Sequence, residues 1–290
     1  MRKLFVIKKL LILSAAVLFT ATLSACGGKN NSGNNDKPII AVSIAPEATF
    51  VQKICGDDMK IITMIPAGAS AESYELKSRE IRAFAKADIY FAIGVPAEEN
   101  SILPSVSKNT KVVDLALAAR EVHPDLMIGT ERDPHIWLSP KRVQVMVSKI
   151  ADELAAAYPE KAETYRKNAE NYILELENLD NEIKNIFKEK NGSFFVFHPA
   201  FGYFADDYSL KMYALEEEGR ESTPKQLAAL ADIAKKENIK VIFCQAEASD
   251  RQAKAFADEI GGRVEILEPL SADYANNLKK MATLISEAMN

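Results

Sequence analysis

The strongest constraint on the fold is an alternation of short apolar runs with amphipathic segments, which occurs twice along the chain. In the first block, the β-branched runs are Ile39–Ile44, Ile61–Ile65, Ile89–Ile93 and Val112–Leu115. Runs of this kind are typical of strands that are covered on both faces. Segments with helical character lie between them, at Ala48–Ile54, Ser78–Ala87 and Glu98–Ser107. Because strands and helices alternate, the block predicts a parallel sheet with helices on both faces.

The same alternation returns after position 190. The predicted strands are Phe194–Phe197, Met212–Leu215, Val241–Phe243 and Val264–Leu267. The predicted helices are Pro224–Glu237, Arg251–Ile260 and Tyr274–Ala288. The chain is therefore predicted to be an α/β protein with two lobes, residues 38–158 and 191–290, each built on its own parallel sheet.

A single long segment with helical periodicity, residues 159–190, separates the two blocks. Its apolar residues recur every three or four positions, from Ala162 through Tyr172 to Ile186, which predicts one buried face. At 1.5 Å per residue the helix would be about 45 Å long. A coiled-coil partner helix is disfavoured, because Glu and Lys alternate irregularly around it and a globular block follows at once. We expect one rigid linker helix between the lobes.

The N-terminus has the layout of a secretory signal peptide, residues 1–25. A basic start containing Arg2 and Lys3 precedes an apolar stretch from Leu10 to Ala21, which is too short for a spanning helix of about 20 residues. The stretch ends in Leu-Ser-Ala-Cys26, which resembles the bacterial lipobox, whose Cys is acylated. An ordinary signal peptide with an incidental Cys is the alternative. Residues 26–37 are predicted to be a flexible tether, so we expect an extracytoplasmic protein anchored to the membrane through lipidated Cys26.

The chain's charge and metal-binding residue content narrow its possible functions. It carries a net charge of −5, which argues against a nucleic-acid-binding surface. It contains only 3 His and 3 Cys, so a metal site made of side chains must also use carboxylates. Cys55 and Cys244 fall in a helix and a core strand of different lobes and are expected to be small buried hydrophobes, not a disulfide.

Four residues with metal-binding side chains lie at the carboxyl ends of predicted strands, where ligands bind in open parallel sheets. They are Glu72 in the loop after the second strand, His135 in Asp-Pro-His-Ile-Trp-Leu-Ser-Pro, His198 after the first strand of the second lobe, and Glu268 after the last strand. Because two come from each lobe, a cation bound by all four would lie between the lobes.

Two further residues are not assigned a role in metal binding. His123 lies in a polar loop and is expected at the surface. Glu47 lies near the same crevice, just inside the first helix, and whether it assists binding is left open.

Several strings resemble the metal-binding lipoprotein component of bacterial zinc/manganese ABC importers, the cluster A-I family of solute-binding proteins. The similarity runs from Pro38 to the C-terminus. Its most specific pieces are Pro66–Glu75, Asp133–Pro140, Phe197–Phe204, Glu218–Pro224 and Val264–Leu270. The resemblance implies two α/β lobes joined by one long helix. It also implies capture of a divalent transition metal outside the cell and delivery to a membrane permease.

The resemblance implies Glu72, His135, His198 and Glu268 as metal ligands, with departures from the usual family pattern. The first position is usually His, the third is His in members regarded as zinc-specific, and the fourth is usually Asp. The His-rich loop of some zinc members is absent. Two imidazoles and two carboxylates suit Zn²⁺, Mn²⁺ or Fe²⁺, and intrinsic affinity favours zinc over manganese. Manganese stays open, as does a site in which water replaces Glu72.

Two other functional classes are disfavoured. An extracellular zinc hydrolase would fit the donor set, but the sequence has no His-Glu-x-x-His, Gly-x-Ser-x-Gly or phosphate-cradling Gly-rich motif. An adhesin would be favoured by surface repeats, and none is found. We therefore expect a monomeric, non-enzymatic metal-binding protein whose partners are the metal ion, an ABC permease and the membrane.

Overall fold

The computed structural model describes residues 37–190, 192–217, 220–246 and 251–289. The predicted signal peptide, Cys26 and the tether up to residue 36 lie outside the described residues. Within the described part of the chain, no helix is both long enough and apolar enough to cross a membrane.

The first sheet contains four parallel strands: β1 (Ile39–Val42), β2 (Lys60–Thr63), β3 (Ile89–Ala92) and β4 (Lys111–Asp114). Their order across the sheet is β2-β1-β3-β4. The chain therefore builds outward from β1 on one side and then from β3 on the other. The crevice between the carboxyl ends of β1 and β3 is the position where ligands bind in folds of this type.

Helices and a small hairpin surround this sheet. The helices are α1 (Ala45–Cys55), α2 (Ser78–Phe84), α3 (Leu115–Val122) and α4 (Pro140–Ala157), and the hairpin strands are β5 (Met127–Ile128) and β6 (Glu131–Arg132). Ser139 caps α4 by accepting a hydrogen bond from the Arg142 N–H, with Pro140 in the first turn.

One predicted helix has a different form. Residues expected to form a helix from Glu98 to Ser107 instead form a π-helical turn, Glu98–Ile102, and a 3₁₀ turn, Leu103–Ser105. Pro104 explains the difference, because proline has no N–H to donate and its ring clashes with the preceding helical turn.

The long helix is α5 (Ala162–Phe187), which follows a 3₁₀ turn at Pro159–Lys161. Its buried face includes Tyr165, Tyr172 and Ile183, which lie on the predicted apolar stripe.

The second lobe has the same plan. Its strands are β7 (Ser193–Val196), β8 (Lys211–Ala214), the short pair β9 (Glu216–Glu217) and β10 (Arg220–Glu221), β11 (Val241–Gln245) and β12 (Arg263–Leu267). The parallel sheet has the order β12-β11-β7-β8. Its helices are α6 (Gly202–Asp207), α7 (Pro224–Lys236), α8 (Arg251–Ile260) and α9 (Tyr274–Ala288). The order reverses between β7 and β11, so His198, which follows β7, lies at the ligand-binding edge.

One continuous apolar core joins the lobes. Helix α5 packs against α1 and α4 of the first lobe and α9 of the second, and the same core includes buried Trp137, Tyr165, Phe204 and Tyr274. A smaller core lies under α7 and α8 on the other face of the second sheet. The predicted fold class, two parallel sheets flanked by helices with one long helix between them, is confirmed. Cys55 and Cys244 are both buried thiols.

Candidate metal centre

Three of the four predicted ligands meet between the lobes. Glu72, His135 and His198 each offer one ligand atom, and these atoms lie within 4.8 Å of one another. The two Nε2 atoms of His135 and His198 are 3.2 Å apart, and the Nε2 of His198 is 3.0 Å from Oε1 of Glu72. Both imidazoles are buried, at 5% and 8% exposure, whereas the Glu72 side chain is 38% exposed. The cluster is therefore closed on the histidine side and open on the glutamate side.

The loop after β2 carries Glu72. It turns at Gly68, whose φ of 79° favours glycine, and the Ala69 N–H closes the turn on the Pro66 carbonyl at 3.1 Å. The Ala71 carbonyl then accepts a hydrogen bond from the Ala97 N–H at 3.1 Å. The second contact holds the residue next to Glu72 against the segment that follows β3.

Asp133 orients His135. Its Oδ1 accepts hydrogen bonds from the His135 backbone N–H at 2.9 Å and from Nδ1 of the ring at 2.8 Å. Asp133 is only 1% exposed, so water competes little for the carboxylate. The ring orientation is thereby fixed, with Nε2 directed at the cluster.

Glu216 orients His198 in the same way. Its Oε2 lies 2.8 Å from Nδ1 of His198, and its backbone N–H donates to the Phe197 carbonyl at 2.9 Å, which holds it beside His198. Sequence reasoning missed both orienting carboxylates. Asp133 could have been found from its place two residues before His135, and Glu216 from its place just after the predicted strand Met212–Leu215.

These contacts set the protonation of the two rings. An ionised carboxylate only accepts hydrogen bonds, so the Nδ1 atoms of His135 and His198 both carry protons. In neutral rings, two Nε2 lone pairs would then face each other at 3.2 Å, which is repulsive unless a positive charge lies between them. That charge is either a proton or a metal ion.

The pKa of His198 fits this requirement. Burial opposes its charged form, but hydrogen bonds to Glu216 and Glu72 outweigh burial and raise the pKa to about 9. The hydrogen bond from His198 in turn lowers the pKa of Glu72. The metal-free cluster therefore holds a proton that a metal ion would displace.

Two of the three donor spacings fit a transition metal. Ligands bound at about 2.0–2.1 Å in tetrahedral geometry lie about 3.3 Å from one another, close to the observed 3.2 Å and 3.0 Å. Two imidazoles and a carboxylate suit zinc, manganese or ferrous iron. Histidine ligands whose other nitrogen donates to a carboxylate are the usual arrangement in metal proteins.

Glu268 is not brought into this cluster. Its side chain is exposed, and its backbone carbonyl accepts hydrogen bonds from the Ser271 N–H at 3.1 Å and the Asn277 amide at 2.7 Å. Its role as a fourth ligand stays a prediction.

Glu47 and His123 also lie outside the cluster. His123 is half-buried. Glu47 is fully buried, and its Oε2 accepts hydrogen bonds from the backbone N–H groups of Ser43 and Ile44 at 2.9 and 3.1 Å. Its Oε1 has no hydrogen-bond partner among the described residues. Burial, reinforced by the charge of Glu98, holds the pKa of Glu47 well above its usual range.

Residues 40–288 match the family model of ZnuA, which is described as the periplasmic component A of a zinc-uptake complex. The chain belongs to this family. The predicted family resemblance is thereby confirmed. The description of this family names a component of a zinc-uptake complex, which gives the hydrolase alternative no support.

Individual relatives agree with the ZnuA assignment. The high-affinity zinc uptake system protein ZnuA of Bacillus subtilis is 30% identical over 282 residues, covering 90% of this chain and 88% of the relative. A crystal structure of a zinc-bound ZnuA deletion mutant has a TM-score of 0.82 at 34% identity, covering 87% of this chain and 98% of that chain. The zinc-binding protein AdcA of Streptococcus pyogenes serotype M1 is 29% identical over 266 residues, covering 83% of this chain and 52% of AdcA. The chain therefore spans about half the length of the AdcA proteins that it matches.

Proposed function

We propose that this protein captures a divalent transition metal, zinc before manganese or iron(II), between its two lobes outside the cytoplasmic membrane. It then delivers the ion to an ABC permease. The single observation that carries the proposal is the pair of buried imidazoles with Nε2 atoms 3.2 Å apart, each oriented through Nδ1 by a carboxylate. Such a pair needs a cation between its rings, and the cleft makes the position accessible.

Glu72, His135 and His198 are the proposed ligands, and each has a distinct part. The imidazoles bind as neutral donors, and the carboxylate of Glu72 neutralises part of the metal's charge. Zinc has the highest affinity expected of the three metals for such a nitrogen and oxygen donor set. Glu268 is the proposed fourth ligand, and its loop would have to turn its side chain toward the cluster.

The lipid anchor is a further part of the proposal. Acylated Cys26 would hold the protein at the membrane near its permease, as a monomer on the tether of residues 26–37. A Cys26→Ala variant is expected to leave the membrane fraction for the soluble extracytoplasmic fraction, whereas the parent stays with the membrane.

The metal is tested on protein purified without added metal. We expect bound zinc near one equivalent by elemental analysis. In competition titrations, zinc should bind more tightly than manganese by at least about tenfold. Protein that binds no divalent ion would overturn the proposal, and tighter binding of manganese would reassign the cargo.

A further inference from the structure

The carboxylate that orients His135 lies directly against Gly202 of the opposite lobe. Oδ1 of Asp133 holds His135 through two hydrogen bonds, and Oδ2 occupies the space that a side chain at position 202 would fill. A Cβ on Gly202 would lie 2.4 Å from Oδ2 and 3.6 Å from Cγ of Asp133. The first distance is far shorter than a van der Waals contact, so this approach requires that position 202 has no side chain.

Asp133 has little room to move away from Gly202. Its backbone N–H donates to the Leu126 carbonyl at 2.8 Å, and the residue is only 1% exposed. A displaced carboxylate would therefore lose its hydrogen bonds to the backbone and ring of His135.

Helix α6, which begins at Gly202, is fixed on the first lobe at both ends. In its first turn, the Tyr203 hydroxyl accepts a hydrogen bond from the Leu126 N–H at 3.1 Å, and the Arg142 guanidinium lies 4.2 Å from the centre of the Tyr203 ring. At its last residue, Asp207 accepts a hydrogen bond from the Ser139 hydroxyl at 2.6 Å. The helix therefore cannot withdraw from Asp133 without breaking contacts between the lobes.

Gly202 lies outside the cleft that opens from the metal cluster. This cleft has a volume of about 500 Å³. Its lining includes Glu72, Glu99, Glu131, His135 and His198. Neither Gly202 nor Asp133 lines it, so an effect of position 202 on a bound metal has to pass through Asp133.

We infer that Gly202 is a positioning residue for metal binding, because it allows the Asp133 carboxylate to stay on Nδ1 of His135. Gly202 follows His198 by four residues in the same segment. The segment that supplies the ligand of the second lobe thereby also sets the orientation of the ligand of the first lobe. The inference rests on the proposed function, since metal binding is the task for which the ring is oriented.

The contact is tested first in metal-free protein, which separates it from the proposed function. The chain has only 3 His, so ¹⁵N-histidine labelling gives three ring systems, and His135→Ala and His198→Ala assign two of them. In the parent, the Nδ1–H proton of His135 should exchange slowly with water, because it donates to a buried carboxylate. In Gly202→Ala this signal should shift and exchange faster, whereas the Nδ1–H signal of His198 should stay.

Zinc affinity is then measured by competition titration. Gly202→Ala should lower it by about 10–100-fold, although the substitution removes no ligand and no carboxylate. Alanine is a better helix former than glycine, and Gly202 does not have a positive φ, so neither helix α6 nor backbone strain explains such a loss. Asp206→Ala, at an exposed position of the same helix, is the matched control and should keep the parental signal and affinity.

The double variant Asp133→Ala/Gly202→Ala shows whether position 202 acts through Asp133. Among the described residues, apart from chain neighbours and the backbone of α6, only the Asp133 carboxylate lies within 4 Å of the added Cβ. The double variant should therefore bind zinc as Asp133→Ala alone does. If Gly202→Ala fails to fold, the added Asp133→Ala substitution should restore folding, because it removes the clash.

Three results would overturn the inference. They are a parental His135 signal in Gly202→Ala, parental zinc affinity in that variant, or a further loss of affinity when Gly202→Ala is added to Asp133→Ala. A double variant that stays unfolded when Gly202→Ala is unfolded would overturn it as well. A parent protein that binds no zinc would overturn the proposed function, and the His135 signal alone would then decide whether Gly202 positions the ring.

Discussion

The indole N–H of Trp137 donates to the carbonyl oxygen of Pro269 across the lobe boundary, at 2.9 Å. Trp137 lies two residues after His135, and Pro269 directly follows Glu268. The carbonyl of Trp137 in turn accepts a hydrogen bond from the Tyr274 hydroxyl at 2.8 Å. The segment that carries one proposed metal ligand is therefore hydrogen-bonded directly to the opposite lobe.

Removing this bond should weaken the junction between the lobes. Trp137→Phe loses the donor, leaves the Pro269 carbonyl without its partner and opens a small cavity in the core. We expect a loss of about 1–3 kcal/mol in the free energy of unfolding, measured by urea denaturation and far-ultraviolet circular dichroism. Leu174→Ala, at an exposed apolar position on α5, is the control and should change stability little. Unchanged stability in Trp137→Phe would show that the bond contributes nothing.

The two histidines should dominate zinc affinity. His135→Ala or His198→Ala removes one neutral nitrogen donor and leaves its orienting carboxylate without a partner. Each variant is expected to lower zinc affinity by orders of magnitude in competition titrations. His123→Ala serves as the control, since His123 lies outside the cluster. If both cluster variants titrate like the parent, the metal site is elsewhere.

Zinc binding should release a proton from His198. With a pKa of about 9 in the metal-free protein, His198 is protonated at pH 7.5, and zinc must displace that proton. Apparent zinc affinity should therefore rise with pH by about tenfold per unit until pH approaches 9, and then level off. Calorimetry in buffers of different ionisation enthalpy counts the released proton.

Glu216→Gln tests the origin of that proton. The substitution removes a charge that favours the imidazolium, so the pKa of His198 should fall and the affinity profile should level off at lower pH. Glu131→Gln, which removes a charge from the same cleft without touching His198, should leave the profile near that of the parent. A pH-independent affinity in the parent would contradict the assignment of His198.

Glu72 should tune metal selectivity. Glu72→His replaces a hard oxygen donor with an imidazole, so zinc binding should be kept or tightened while discrimination against manganese increases. Glu72→Ala should weaken both metals, and Glu99→Ala, which lines the cleft outside the cluster, should weaken neither. Equal affinities in Glu72→Ala and the parent would mean that water fills this position.

Glu47 should make stability depend on pH. Burial raises its pKa, so the folded protein keeps a proton that the unfolded chain releases above about pH 4.3. The folded state therefore binds more protons, and stability falls as pH rises from that value through the folded pKa. Glu98, whose pKa burial also raises, acts in the same direction.

Glu47→Gln should flatten part of this profile. The amide oxygen can still accept from the Ser43 and Ile44 N–H groups, but the side chain no longer titrates. Urea denaturation between pH 4.5 and 8 should show a smaller loss of stability with rising pH than in the parent. Glu170→Gln on the exposed face of α5 should keep the parental slope. A parental slope in Glu47→Gln would mean that Glu47 stays ionised in the fold.

The periodic elements were predictable because burial imposes their pattern locally. In the strand around Ile40 and in the helix from Tyr165 to Ile183, the spacing of the apolar residues identifies the face that contacts the core. The turns between Glu98 and Ser105 could not be predicted from hydrophobic periodicity. The composition of this segment favours a helix, but it does not show where one proline interrupts that helix. Helix α6 is too short to display a period at all.

The candidate site was predictable only in part. Position at a strand end identifies the edge of the sheet for His198 and Glu268 alike, but it does not determine where a side chain points. The pairing of Glu216 with His198 depends on β8 lying beside β7, which is a contact between distant parts of the chain. Arg132 donates a hydrogen bond to the carbonyl oxygen of Gly94, 38 positions away in the chain. No local sequence pattern predicts this contact.

The shared core has a consequence for folding. Because α5 packs against helices of both lobes and one apolar cluster runs through all of them, neither lobe can lose its packing without exposing part of the other. The described residues should therefore melt as one cooperative unit, without a half-folded intermediate. The proposed ligands from both lobes are then gained or lost together, and the free energy of metal binding would stabilise the whole molecule against unfolding.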